Sequence, residues 1–174
     1  MSENAYRIAV LTKYVPDTQF EQKLDDTLRV DRSESVMSEL DEYAVEAAMQ
    51  IVEAEDTDAA NSAVIAFTLG AADASKGLRR ALQLGAHEGV HILDDAFAGA
   101  DALATSRIIA AALSTYEQEH GTFDLILTGM ASTEGETSLV PVQVSELLGR
   151  TGISQVASLT VAGRTVRARR DLDT

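Results

Sequence analysis

The chain alternates short apolar runs with longer segments whose apolar positions recur at helical spacing. Four runs have the length and the continuous apolar character of buried strands, at residues 6–11, 62–68, 89–93 and 124–128. The segments between and after them place apolar side chains on one helical face. These segments predict helices at about residues 39–54, around Ala74, Leu78, Ala81 and Leu82, at about 101–119 and at about 136–148.

This fourfold alternation of strand and helix predicts the fold class. We expect an α/β domain with an open, mostly parallel, Rossmann-like sheet and helices on both faces. Residues 1–174 are interpreted as one such domain. Two further short strands are predicted at about 156–161 and 165–169, and the last has no strand after it to pair with. We therefore expect the chain to be truncated.

Two local patterns lie before and at the first helix. Residues 27–32, TLRVDR, alternate in polarity and predict one arm of a small hairpin. Ser38 precedes Asp41 by three positions, which predicts a variant of the capping box in which the two side chains cap the first helix.

Composition narrows the possible functions. The formal charge is −14, from 14 basic and 28 acidic residues, which argues against nucleic acid or an anionic membrane surface as a partner. The absence of cysteine rules out disulfides, thiolate catalysis and iron–sulfur ligation by this sequence. No apolar run approaches the roughly 18 residues that a membrane span needs, and the N-terminus lacks the basic region of a secretory signal. We expect a cytoplasmic protein that does not insert into a membrane.

The candidate site lies where the strands end. In an open parallel sheet, ligands bind beyond the carboxyl ends of the strands, at the point where the strand order reverses. The segment 131–142 follows the fourth strand and is rich in small and polar residues, and the helix after it would direct free N–H groups at an anion. The alternative is an ordinary loop whose Thr and Glu side chains cap that helix.

The ionisable side chains give little sign of chemistry. Glu134 and Glu136 form an acid/base pair in one interpretation, but helix capping or contact with a sugar is the better one. Lys13 follows the first strand and would either meet a phosphate or be solvated. The three histidines lack the spacing of metal ligands. We predict neither a catalytic residue nor a metal site.

Several sequence blocks carry a resemblance to a known family. The stretch IAVLTKYVPDTQ resembles the opening of the electron transfer flavoprotein β subunit, and ELDEYAVEAAMQI resembles its first helix. The blocks GLRRALQLGAHEGVHILDDAFAGADALATS and FDLILTGMASTEGETSLVPVQVSELLG are similar to its later segments. The resemblance covers essentially the whole chain in order.

The resemblance implies a fold, a cofactor and partners. The fold would be that of the adenine nucleotide α-hydrolase-like relatives of the Rossmann fold. This subunit would bind AMP in a structural role, and the α subunit of the heterodimer would hold most of the FAD. Acyl-CoA and related dehydrogenases would donate electrons and a quinone oxidoreductase would accept them. The chain would thus be an electron carrier subunit without a substrate-converting site, lacking the family's C-terminal part.

The resemblance also implies the residues of the AMP site, most of them through their backbone. They are Leu11, Thr12, Ser38, Glu39, Leu40, Asp41, Thr68, Leu69, Gly70, Ala131, Ser132, Thr133, Glu134, Gly135, Glu136, Thr137, Ser138 and Leu139. The chain departs from the family pattern at several of these positions. Glutamates stand at 134 and 136 where aspartates are commoner, and Leu139 replaces a frequent glutamine.

Three alternatives stay open. A stand-alone nucleotide-binding stress or regulatory protein of the same superfamily would carry a glycine-rich phosphate clasp after the fourth strand, and residues 129–142 lack its spacing. An ATP pyrophosphatase or adenylating ligase would need an SGGxDS-type loop after the first strand, which LTKYVPDT does not provide. A bifurcating type of β subunit would hold a second flavin in place of AMP.

Overall fold

The computed structural model describes residues 4–26 and 28–171. A four-stranded sheet forms its centre, with two small antiparallel hairpins outside it. The strands are β1 (Arg7–Thr12), β2 (Tyr14–Pro16), β3 (Ser35–Met37), β4 (Ala63–Leu69), β5 (Glu88–Ile92), β6 (Leu125–Thr128), β7 (Val156–Ala162) and β8 (Thr165–Arg170). The helices are α1 (Glu39–Val52), α2 (Ser75–Gln83), α3 (Ala102–His120) and α4 (Val140–Leu147).

The central sheet is wholly parallel and has the order β5-β4-β1-β6. The chain first builds outward from β1 through β4 to β5, and then crosses back to place β6 on the other side of β1. The strand order therefore reverses between β1 and β6. In a sheet of this kind, that reversal leaves a crevice beyond the carboxyl ends of the two strands.

Alternating side chains of β1 face two separate cores. Ile8 and Val10 belong to a cluster with side chains of α1 and α2, such as Val45 and Leu78. Ala9 and Leu11 belong to a second cluster, with Ile109 and Leu113 of α3 and Val144 of α4. Helices thus cover both faces of the sheet, which is why its central strands are apolar along their whole length. The predicted α/β fold is confirmed.

The four predicted sheet strands and the final hairpin lie within two residues of their predicted bounds. The fourth predicted helix is present, but its start was predicted wrongly, because α4 begins at Val140 and not at residue 136. Gly135, Glu136 and Ser138 all have positive φ, at 84°, 43° and 52°, so the backbone there turns repeatedly and cannot continue into a helix. Pro141, in the first turn of α4, suits a helix start.

The segment between β2 and β3 is an excursion from the sheet. The β2–β3 hairpin, three residues in each strand, was not predicted, since so short a pair carries no periodic signal. The predicted hairpin arm at 27–32 begins at a residue outside the described part of the chain. Within the described part, Leu24 and Val30 form an isolated antiparallel bridge there.

Candidate functional site

The crevice between β1 and β6 has a floor made of one carboxylate and two backbone amides. Asp41, in the first turn of α1, is 6% exposed. Its Oδ2 accepts a hydrogen bond from the backbone N–H of Lys13, 2.7 Å away, just after β1 ends. Its carboxylate also accepts the backbone N–H of Gly129, just after β6 ends. We call Asp41 and these two amides the crevice floor.

Gly129 is fitted to this carboxylate. A Cβ at position 129 would overlap Oδ1 of Asp41 and would lie 3.1 Å from the carbonyl carbon and oxygen of Leu40. The obstruction on the second side is backbone, which cannot swing away as a side chain can. Glycine is therefore required here for close approach to α1, which is one of the uses of its missing side chain.

Burial dominates the electrostatics of the floor. Removal from water raises the pKa of Asp41 to about 7, because the charged form loses its hydration. The N–H groups of Lys13 and Gly129 and the charge of Lys13 oppose this rise without cancelling it. The carboxyl group therefore titrates near neutral pH.

The loop after β6 forms a rim that closes against the end of β1. Nζ of Lys13 donates to the hydroxyl of Ser132 at 3.2 Å and to the carbonyl oxygen of Glu134 at 3.0 Å. It also lies 3.2 Å from Oε2 of Glu134, while Arg32 pairs with Oε1 of the same carboxylate. We call these four residues, Lys13, Arg32, Ser132 and Glu134, the crevice rim.

The rim carboxylate has the opposite pKa shift from the floor carboxylate. Partial burial acts to raise the pKa of Glu134, but the hydrogen bond from Arg32 and the charges of Lys13 and Arg32 outweigh it. The net result is a pKa below the ordinary glutamate value. Glu134 therefore stays ionised and pins the loop to two basic side chains.

The capping box predicted for α1 is wrong. Ser38 occupies the N-cap position but makes no side-chain capping bond. Its hydroxyl is fully buried and, among the described residues, has no hydrogen-bond partner. Its backbone N–H donates to the carbonyl of Lys13 at 2.9 Å, which places it beside the end of β1. A buried hydroxyl without a partner is uncommon, and protein atoms cover this one, so a ligand would reach it only if neighbouring residues moved.

Two threonines at the ends of β1 and β4 each donate a side-chain hydrogen bond to a backbone carbonyl of the other strand. Oγ1 of Thr12 donates to the carbonyl of Phe67, and Oγ1 of Thr68 donates to the carbonyl of Thr12 at 2.8 Å. Both side chains are buried. Their hydroxyl protons are engaged within the sheet, so a ligand would meet the backbone here.

The remaining predicted site residues lie at different depths. Leu11 is buried, Leu40, Leu69 and Gly70 are half-buried, and Glu39 is exposed. In the loop, residues 131–134 are half-buried and residues 135–139 are exposed. Gly70 faces β5, where its N–H bonds Ile92 and its carbonyl lies 3.0 Å from Nε2 of His91.

Residues 27–174 match the family described as "Electron transfer flavoprotein domain". The chain belongs to the electron transfer flavoprotein family. The resemblance given by the sequence blocks is thus confirmed, although contact between the predicted site residues and a nucleotide stays a prediction.

Three relatives illustrate the similarity. The chain is 37% identical over 169 residues to "Electron transfer flavoprotein subunit beta" of Mycobacterium leprae, covering 95% of this chain and 62% of the relative. It is 33% identical to the protein of the same name from Clostridium acetobutylicum, over 94% of this chain and 60% of the relative. It is 31% identical to "Caffeyl-CoA reductase-Etf complex subunit CarD" of Acetobacterium woodii, over 96% of this chain and 62% of the relative. The chain therefore spans about three fifths of the length of these relatives.

The side-chain contacts within the crevice of this electron transfer flavoprotein family member were not predicted from the sequence. Lys13 was expected to be solvated or to meet a phosphate; its side chain is partly exposed and also pairs with Glu134, and contact with a phosphate stays a prediction. Glu134 was expected to cap a helix or contact a sugar, and its carboxylate pairs with Lys13 and Arg32. The one available signal was position, since both Lys13 and Gly129 immediately follow apolar strands that end at the same edge.

The described part of the chain shows neither a cluster of three or more potential metal ligands nor a helix long and apolar enough to cross a membrane.

Proposed function

We propose that this chain forms part of the β subunit of an electron transfer flavoprotein and that the crevice between β1 and β6 holds AMP. The observation that carries the subunit role is the 37% identity, over 95% of the chain, to a protein named as subunit beta. The nucleotide site rests on the reversal of strand order between β1 and β6.

Three features of the crevice support an adenine nucleotide as its ligand. The buried hydroxyl of Ser38 lacks a partner among the described residues, and a ligand that displaced the residues covering it would supply one. The backbone at Leu11, Thr12 and Thr68 would face a flat base, because the threonine side chains are engaged in the sheet. The exposed loop at residues 135–139 would contribute backbone N–H groups and hydroxyls to a phosphate.

The role of this subunit in electron transfer would be structural. FAD would be held mainly by an α subunit, and it would supply the one- and two-electron chemistry. The bound AMP would order the ends of β1 and β6. Acyl-CoA and related dehydrogenases would be the electron donors and a quinone oxidoreductase the acceptor, and the protein would work as a cytoplasmic carrier.

The experiment is co-expression of the full-length β chain with its α subunit, followed by purification and denaturation. We expect a yellow complex of one copy of each chain that releases FAD and AMP. A β chain that purifies colourless and alone in the presence of the α subunit would contradict the subunit role. A complex that releases two flavins and no AMP would support the bifurcating alternative for this site.

A further inference from the structure

A single carboxylate joins the two strands that border the crevice. Asp41 belongs to neither β1 nor β6, yet its Oδ2 accepts the N–H of Lys13 and its Oδ1 lies directly against Gly129, whose N–H also stabilises the charged carboxylate. Both amides lie beyond the last register pair of the two strands, Leu11 with Thr128. The sheet hydrogen bonds therefore stop where the bonds to Asp41 begin.

The other roles of an aspartate in the first turn of a helix do not fit Asp41. A capping aspartate accepts N–H groups of its own helix, whereas this carboxylate accepts N–H groups of two strand ends. A residue that serves through an ion pair would have its partner's charged atoms beside it. The side chain of Lys13 instead bonds to Ser132 and Glu134.

We propose that Asp41 is a positioning residue whose carboxylate holds the N–H groups of Lys13 and Gly129 together and so sets the spacing of the two strand ends at the nucleotide site. This inference rests on the proposed function for the nucleotide site. We call the carboxylate of Asp41 with the N–H groups of Lys13 and Gly129 the clamp, and the clamp itself is a property of the protein alone. It differs from a direct nucleotide contact by Asp41, because both partners of the carboxylate are backbone amides.

The clamp depends on ionisation. A carboxylate has two oxygens that only accept, so it can satisfy both amides at once. A protonated carboxyl group, or the carboxamide of asparagine, would turn a hydrogen toward one of the two N–H groups. Because burial raises the pKa of Asp41 to about 7, that loss would occur within the physiological range.

Few other charges face this group. β4, β6 and β7, which pack against α1, contain no ionisable side chain, and the one in β1, Arg7, lies at the opposite end of that strand and donates to the carbonyl of His120. Lys13, at the end of β1, favours the ionised form and is itself paired with Glu134. On α1, Glu42 is paired with Arg80 of α2. A pH-dependent change in the signals of both amides is therefore assigned to ionisation of Asp41.

The test reads the two amides directly in the heterodimer. Threonine labelled with ¹³C at the carbonyl, combined with ¹⁵N-labelled lysine and glycine, selects Thr-Lys and Thr-Gly pairs. Within residues 1–174 these pairs are Thr12-Lys13, Thr128-Gly129 and Thr151-Gly152. The amide of Gly152 is therefore an internal control. We expect the signals of Lys13 and Gly129 to shift together between pH 5 and 9 with one midpoint near 7, while that of Gly152 does not follow.

Two variants decide the assignment. Asp41→Asn should abolish the joint titration, and at pH 8 it should release bound AMP about tenfold faster, as expected for loss of a bond to a charged group. Glu42→Gln alters the neighbouring carboxylate outside the crevice and should leave both readouts as in the parent protein. Separate midpoints for the two amides, a joint titration that persists in Asp41→Asn, or unchanged AMP release in that variant would overturn the clamp.

The outcomes also separate this inference from the proposed function. A heterodimer without adenine nucleotide whose two amides still titrate together would refute the nucleotide site and keep the backbone clamp. A heterodimer with AMP whose amides do not titrate together would refute the clamp and keep the nucleotide site. In the wild-type titration, the clamp is tested even if Asp41→Asn fails to fold.

Discussion

The floor and the rim of the crevice both join the end of β1 to the segment after β6, but with carboxylates in opposite surroundings. In the floor, Asp41 is buried against backbone amides, and its pKa rises to about 7. In the rim, Glu134 lies between Lys13 and Arg32, and its pKa falls below the ordinary value. Burial and close packing determine the arrangement of the floor, and ion pairs determine that of the rim.

Contacts of the rim contribute to stability, whereas contacts of the floor contribute to geometry. An ion pair with two partners, such as that of Glu134, favours the folded state when the carboxylate is charged. A buried carboxylate without a close countercharge makes the folded state less stable when it is charged. Asp41 therefore maintains the arrangement of two strand ends at a cost in stability, as is common in binding sites.

The largest expected effect is the pH dependence of stability due to Asp41. Because its folded pKa lies above the unfolded value, the folded state binds the extra proton, and stability falls as pH rises toward 7. Between pH 5 and 8 the wild-type protein should lose about 3 kcal/mol relative to Asp41→Asn. Urea unfolding of both proteins across this range measures the difference. A constant difference would show that Asp41 does not titrate near 7.

The second prediction concerns space in the floor. Gly129→Ala places a Cβ against Asp41 and the backbone of Leu40, and it should destabilise the protein by about 2 kcal/mol or more. Gly135→Ala in the loop is the matched control, since the described residues leave its Cβ free space and only its φ of 84° is unfavourable. We expect that control to be destabilised by about 1 kcal/mol. Equal urea midpoints for the two variants would contradict a space-limited floor.

The third prediction concerns charge in the rim. Glu134→Gln removes the negative partner of Lys13 and Arg32 and should cost about 1 kcal/mol at pH 7. Since the folded pKa of Glu134 is lowered, this stabilisation is present above the unfolded pKa and is lost as pH falls through the folded one. The unfolding midpoints at pH 7 and in acid measure it. A destabilisation by Glu134→Gln that grows as the pH falls would contradict a lowered pKa for Glu134.

The exposed ion pair of Glu42 serves as a reference for the other variants, because its contribution to stability should be small. Glu42→Gln removes an exposed ion pair with Arg80 on the outer side of α1 and should change stability by about 0.3 kcal/mol. The same urea series measures it. A change as large as that of Glu134→Gln would mean that the rim contacts are ordinary surface pairs.

The sheet and its helices were predictable because local sequence decides them. Continuous apolar runs mark the strands, since helices cover both faces of the sheet. The start of α4 was missed because three residues between 135 and 138 adopt positive φ, and the apolar pattern does not report backbone conformation.

The edge of the sheet that carries the candidate site could be read from the sequence, but the contacts between its residues could not. Strand ends and small residues point to the edge of the sheet, and the structure brings Lys13, Asp41 and Gly129 together there. The spacing of Ser38 and Asp41 suggested a helix cap, because a local pattern suggests local partners. Asp41 instead bonds to two strand ends remote in sequence, and only the folded chain brings them to it.

AMP as the ligand of the crevice can be checked by identifying the small molecules released from the purified heterodimer of full-length β chain and α subunit. The chromatogram of the denatured complex should show one AMP and one FAD per pair of chains. A complex that carries flavin but no adenine nucleotide other than FAD would contradict AMP as the ligand of the crevice between β1 and β6.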